Sequence, residues 1–293
     1  MRKNLIKVIS IVLVVAVVCG LVAVFAGCNK TGGSEFAKLK KNGTMVVGYT
    51  IFAPMNYMDE NDKLIGFDTE LAEAVAKELG LKVKFVEIDW DAKEAMLDAG
   101  SLDVVWNGFT YTEARDNGYF DTDRNMQIGG LDFTEMYMEN KQVAVVKKSE
   151  VASYTSNASF AGKKGCAEAT SAGQDVVTKT LNCTCGELGK QLDVFTGVTS
   201  GTYDFGVIDL TMASEYIASA NGAYKDSLAI VNLSNVEVEY YAVATKEGSN
   251  VRDALNYALK KLFANGTAAT IAAKYNLDAN LYNGFTGNYT LPE

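Results

Sequence analysis

Gly66-Phe-Asp-Thr-Glu-Leu-Ala-Glu-Ala-Val-Ala-Lys-Glu-Leu79, followed by Gly80, reads as an amphipathic helix with both ends marked. Leu71, Val75 and Leu79 fall on one stripe, Asp68 stands as a candidate cap, and Gly80 supplies the stop. Glu73 and Lys77 make an i,i+4 pair on the wet side. Outward from the helix, Met45-Val-Val-Gly-Tyr49 and Leu81–Ile88 read as strands. Ala92–Ala99 then reads as a second helix, ended by Gly100, and Leu102–Val105 as a third strand. Strand, helix, strand, helix, strand is the rhythm of an α/β fold with a parallel sheet.

The next stretch, Trp106-Asn-Gly-Phe-Thr-Tyr-Thr-Glu-Ala-Arg115, puts a cation where a helix disfavours one. With Thr112 as N-cap, Arg115 falls in the first turn, beside N–H groups that already carry partial positive charge. A guanidinium there, with the hydroxyls of Thr110 and Thr112, suits a carboxylate gripped bidentately. The bland alternative is a surface Arg115 paired with Glu113 or Asp116.

Composition narrows the classes. The chain has 293 residues, 48% of them hydrophobic, enough for roughly two domains. Its 36 acidic and 27 basic side chains leave a net charge of −9, which argues against a nucleic-acid partner. There is no histidine, so the commonest general base and the usual zinc site are missing. Any catalysis would run on carboxylates, lysine or thiols, and no metal or cofactor is expected.

Arg2, Lys3 and Lys7 precede an apolar run from Val8 to Ala26, which ends in Phe25-Ala-Gly-Cys28. This resembles a bacterial lipoprotein signal, with residues 1–27 removed and Cys28 carrying lipid (palmitate among its acyl chains); a spanning helix is the alternative. Phe25 stands where an aliphatic residue is usual. Residues 28–35 read as a flexible tether, and the fold begins near Phe36. Cys19 would leave with the signal. In an oxidising compartment one bridge between Cys166 and either Cys183 or Cys185 is open, with structural or free thiols as the other outcome.

The Gly66–Leu79 helix, the loop Phe52-Ala-Pro-Met-Asn-Tyr57 and the turn Thr110-Tyr-Thr-Glu-Ala-Arg115 together resemble the bacterial extracellular solute-binding proteins of family 3. These are polar-amino-acid receptors of ABC importers, and the likeness runs from about Thr44 to Asn276. The resemblance implies a two-lobed periplasmic-binding-protein-like fold of type II, each lobe a mostly parallel α/β sheet flanked by helices. Residues 36–142 with 241–293 would form lobe 1 and residues 143–240 lobe 2. Lys141–Lys147 and Val238–Ala244 would be the two crossing strands. Arg252–Phe263 and Gly266–Tyr275 would be helices packed back on lobe 1, and Gly284–Glu293 a loose tail. Around Tyr119–Gly130 roughly a dozen extra residues intervene, more than a tight connection needs. A plain surface loop is expected there; a segment leaning over the cleft and altering specificity is the alternative.

In family register Arg115 and Thr110 take a ligand α-carboxylate and Asp209, in Tyr203-Asp-Phe-Gly-Val-Ile-Asp209, takes the α-ammonium. An acid at the C-terminal edge of a sheet sits where α/β folds place ligands, although Asp209 could equally cap the helix that follows. Ser171, in Ala169-Thr-Ser-Ala-Gly173, matches as a contact, and Thr170 stands where glycine is usual. Phe52 and Trp90 are candidate walls, Asn107 and Gly108 candidate contacts, and Trp106 is assigned to the core. Thr50, Asn107, Trp90 and the insertion bear on selectivity.

The resemblance, with the lipoprotein-like signal, implies a lipid-anchored, extracytoplasmic receptor, taken as a monomer, that performs no chemistry. It would capture a polar amino acid such as glutamine or cystine and deliver it to a membrane permease. An enzyme on this scaffold needs a further acid in the cleft or an added domain, and no unassigned acid is expected at the matched positions. A sensor would need a membrane helix or kinase after Glu293, and none follows in the sequence.

Overall fold

The strand Thr44–Tyr49 has Met45 and Val47 fully buried on one face and Gly48 and Tyr49 also inside, as expected for a parallel strand covered on both sides. It pairs in parallel with Lys82–Glu87 (Val47 opposite Phe85) and with Val104–Val105. Ala244–Lys246 and Leu131–Phe133 extend this first sheet in antiparallel fashion, giving five strands. The computed structural model describes residues 34–122 and 125–293, and Glu35–Glu293 form one unit. The expected signal, Cys28 and nearly all of the tether lie outside the described residues. Among the described residues no helix is long and apolar enough to cross a membrane.

The second sheet repeats the plan. Lys164–Glu168 runs parallel to Thr184–Leu188 and Phe205–Asp209, while Gln142–Lys147 runs antiparallel to Phe205–Asp209 and to Leu228–Val231. The fold is thus α/β with two five-stranded sheets flanked by helices. The chain crosses between them twice. Lys141–Lys147, expected as the first crossing, lies from Gln142 onward inside the second sheet. The crossing itself is Met138–Asn140, and it pairs with the return segment Glu239–Tyr241 (Asn140 opposite Glu239). A two-stranded ribbon therefore joins the sheets.

The helix that decided the reading spans Phe67–Glu78 and buries Leu71, Val75 and Ala76 against Val251–Ala264 and Thr267–Lys274. Gly80 ends it at φ +68°. Asp68 is not its cap. Gly66 holds the N-cap position, and the Asp68 carboxylate is fully buried, accepting from Gly108 N at 2.6 Å and Tyr137 Oη at 3.0 Å.

Other expectations shift in detail. The Tyr119–Gly130 insertion contains a hairpin, Tyr119–Asp121 with Met126–Ile128, rather than a plain loop. The C-terminal tail is not loose throughout: Phe285 is 3% exposed, its ring 5.0 Å from that of Phe263. Cys166, Cys183 and Cys185 are all free thiols, so neither bridge forms. Cys166 faces Gly186 and Gly165 faces Cys185 in the register, so alternation sends the Cys166 and Cys185 side chains to opposite faces of the sheet. Burial pushes the Cys166 thiol up to about 12 and Cys185 to about 11.

Candidate functional site

One cleft between the sheets gathers Thr50, Phe52, Trp90, Asn107, Gly108, Thr110 and Arg115 from the first half, with Glu168, Ser171, Ala172, Gln191 and Asp209 from the second. Among the candidate contact residues singled out from sequence, Thr112 and Thr170 do not line it. The free volume is about 20 Å³, room for roughly one water, so the walls must part to admit a solute.

Thr112 caps the short helix Glu113–Asn117 by accepting from Arg115 N at 3.1 Å, as its place in the sequence suggests. Arg115 therefore projects from the first turn with its guanidinium over the Phe109 ring, 4.9 Å from the centroid. Nη1 donates to Thr110 O at 2.6 Å and Nη2 to Thr170 O at 3.2 Å. Among the described residues no carboxylate pairs with it, so the surface ion pair with Glu113 or Asp116 does not form.

Across the cleft Asp209 occupies the N-cap position of the turn Leu210–Ala213 without its side chain capping. The carboxylate faces inward. Oδ2 accepts from Gln191 Nε2 at 2.6 Å, and Oδ1 from Tyr241 Oη at 2.8 Å, Gln142 Nε2 at 3.0 Å and Asn140 Nδ2. Gln142 and Asn140 also donate to Glu239, so two acids share two amides at the ribbon. Burial raises both carboxyls, and for Glu239 the Asp209 charge adds to it.

Gly108 has φ +53°, and a Cβ there would lie 2.4 Å from Phe52 Cε1, so only glycine lets Phe52 close over this wall. Asn107 behaves differently from expectation. Its Oδ1 accepts from Thr50 N and Oγ1 (3.1 and 2.7 Å), and its Nδ2 donates to Thr50 O and Asn56 Oδ1 (2.9 and 2.7 Å). All four bonding positions of the amide are occupied, so Asn107 braces the wall. Trp90 packs edge-on against Phe109 at 4.9 Å, and Trp106 is fully buried in the core.

Thr170, where glycine was the expected residue, adopts φ +59°, a conformation costly for a β-branched side chain. It is held on three sides: its N donates to Gln174 Oε1 at 2.6 Å, its Oγ1 accepts from Lys93 Nζ at 3.1 Å, and its carbonyl accepts from Arg115. Ser171 caps the following helix by accepting from Gln174 N at 3.2 Å and donates to Glu168 O at 2.8 Å.

Glu168, Gln191 and Lys93 were not anticipated. Glu168 ends its strand at the same sheet edge as Asp209, so the edge rule applied to Asp209 would also have found it. It is an acid in the cleft, contrary to the expectation of none. Gln191 carries no comparable signal. Lys93 is fully buried and its pKa falls to about 8, chiefly through burial. A lysine near a helix start gives no hint in sequence that it points inward.

Residues 45–278 match the model of the bacterial extracellular solute-binding proteins, family 3. The chain is 29% identical to the L-cystine-binding protein TcyA of Bacillus subtilis, over 84% of this chain and 86% of that one. It is 26% identical to a probable histidine-binding protein of Neisseria gonorrhoeae, over 89% and 93%. Among solved structures it is similar to an ABC uptake transporter substrate-binding protein from Streptococcus pneumoniae with bound histidine. That likeness has a TM-score of 0.72 at 28% identity, covering 84% of this chain and 97% of the other.

Proposed function

The chain belongs to the bacterial extracellular solute-binding proteins, family 3, and we propose that it captures a free polar amino acid for delivery to the permease of an ABC importer. One observation carries this reading: Arg115, unpaired with any described carboxylate, and the inward-facing Asp209 stand on opposite walls of one cleft. Removing a zwitterion from water costs several kcal/mol per charge unless each end is paired. Arg115 with Thr110 offers a partner for the carboxylate, and Asp209 offers one for the ammonium. Phe52, Trp90, Gly108 and Ser171 enclose the rest, with Asn107 and Thr170 holding the walls in place.

The two halves act as lobes, residues 36–142 with 241–293 and residues 143–240, hinged at the ribbon. A ligand that touches both walls binds the closed state better, and this differential contact drives closure. The relatives named for cystine and histidine support the amino-acid class. The location is extracytoplasmic, as for the family, with anchoring through lipid on Cys28.

A thermal-shift screen against the amino acids tests the reading, because a bound ligand stabilises by RT ln(1 + [L]/Kd). The expected outcome is a shift with one or a few amino acids that Arg115→Ala removes. An undiminished shift in that variant would refute the carboxylate assignment. One observation favours a second reading: Glu168 is an acid of the kind an enzyme on this scaffold would need. Turnover of the bound solute would establish that alternative.

A further inference from the structure

We infer that Glu168 reads the far end of the captured solute, accepting from a second protonated nitrogen, so that the ligand class is the cationic α-amino acids. This rests on the zwitterion reading above and adds to it the identity of the side chain.

Glu168 lines the cleft, is 4% exposed, and its Oε1 has no hydrogen-bond partner. A buried acceptor left without a donor costs about 1–3 kcal/mol, and more when charged. The nearby cation does not supply the donor. Lys93 Nζ donates to Trp90 O at 3.1 Å and Thr170 Oγ1 at 3.1 Å and pairs with Glu94 Oε1 at 3.1 Å. Its two hydrogen bonds and its ion pair all point elsewhere, and none reaches Glu168 Oε1. Gln191 Nε2 is taken by Asp209. A solute that enters the cleft can bring the donor that Glu168 Oε1 lacks.

The charges in the cleft say what kind of donor fits. Arg115 answers the α-carboxylate, Asp209 the α-ammonium, and Lys93 is balanced by Glu94. Glu168 remains over. Burial is the largest influence on it and pushes its pKa up to about 8; Lys93 and a hydrogen bond from the Gln191 backbone favour its charge, while Asp209 and Asp193 oppose it. Near neutral pH the unliganded carboxyl therefore holds its proton. A cationic side chain displaces that proton and forms a charge-assisted bond, whereas a neutral side chain gains only an ordinary one.

Calorimetric titration of the purified protein with L-arginine and L-lysine, against L-citrulline and L-glutamine as neutral counterparts, tests this. Wild type should bind arginine at least about tenfold tighter than citrulline, the isosteric neutral analogue. Glu168→Gln should erase that preference, with the loss falling at least about tenfold more on arginine than on citrulline. At pH 7, titrations in buffers of different ionisation enthalpy should show about one proton released per arginine bound by wild type and none by the variant. Glu168→Asp keeps the charge and should retain a reduced preference, and the unliganded thermal midpoint of each variant checks folding. A preference that survives Glu168→Gln, or an equal loss for arginine and citrulline, overturns the inference. If glutamine binds and arginine does not, only the role of Glu168 fails. If no amino acid binds, the zwitterion reading fails with it.

Discussion

Arg115 Nη2 donates to the carbonyl of Thr170 at 3.2 Å, so the residue proposed to receive the solute carboxylate also ties the two walls of the cleft together. Its other terminal nitrogen holds Thr110 O at 2.6 Å. A planar fork can grip two such groups and still offer edges to a carboxylate, which a lysine ammonium cannot do. Arg115→Lys should therefore weaken binding by at least about tenfold although the charge is kept. Calorimetry with the amino acid found by screening measures this, and unchanged affinity would contradict the bidentate role.

Gly108 joins the buried Asp68 to the wall formed by Phe52. Its N–H donates to Asp68 Oδ2, and an added Cβ would meet Phe52 Cε1 at 2.4 Å and Tyr241 Cε2 at 3.1 Å. Gly108→Ala should cost about 2–4 kcal/mol from overpacking and left-handed backbone together. It should also abolish ligand binding by moving Phe52. Urea unfolding and a thermal-shift assay read the two effects separately.

Stability should fall as pH rises from 5 to 8. Burial pushes Asp68 up to about 7 and Glu168 to about 8, and Glu239 and Asp209 are raised as well. Between their unfolded pKa values and these raised ones the native state binds more protons than the unfolded chain, so raising the pH favours unfolding. Lys93, lowered to about 8, acts in the opposite direction only above that pH. The thermal midpoint of the unliganded protein should be higher at pH 5.5 than at pH 8, and Asp68→Asn should flatten the slope. A midpoint that rises across this range would count against the buried acids.

Alkylation under denaturing conditions without reductant should modify Cys166, Cys183 and Cys185 alike, as detected by mass spectrometry. Recovery of a linked Cys166 peptide would contradict the opposite-face geometry of the strand pair.

The α/β rhythm, the Gly66–Leu79 helix, the Thr112 cap and the pairing of Arg115 with Asp209 as cleft residues were legible in sequence. The first three depend on short-range rules (apolar periodicity, glycine at a helix end, a hydroxyl three residues ahead of Arg115), while the placing of Arg115 and Asp209 in one cleft came from the family resemblance. Asp68 shows where those rules stop. Its position suits a cap, but Gly66 already holds that place and the carboxylate turns inward to the Gly108 N–H, which is distant in sequence. Asn107 had the right location and a different task, because the Thr50 and Asn56 groups that occupy its amide come together only in the folded wall.

Sequence alone determined which side chains carry charge and which segments can bury a stripe, since these follow from residue type and local spacing. Tertiary structure decided which charges are left without partners. Lys93 and Glu168 are ordinary ions along the chain. Folding gives Lys93 two hydrogen bonds and an ion pair and leaves an oxygen of Glu168 unmet, because burial removes the water that would otherwise satisfy both.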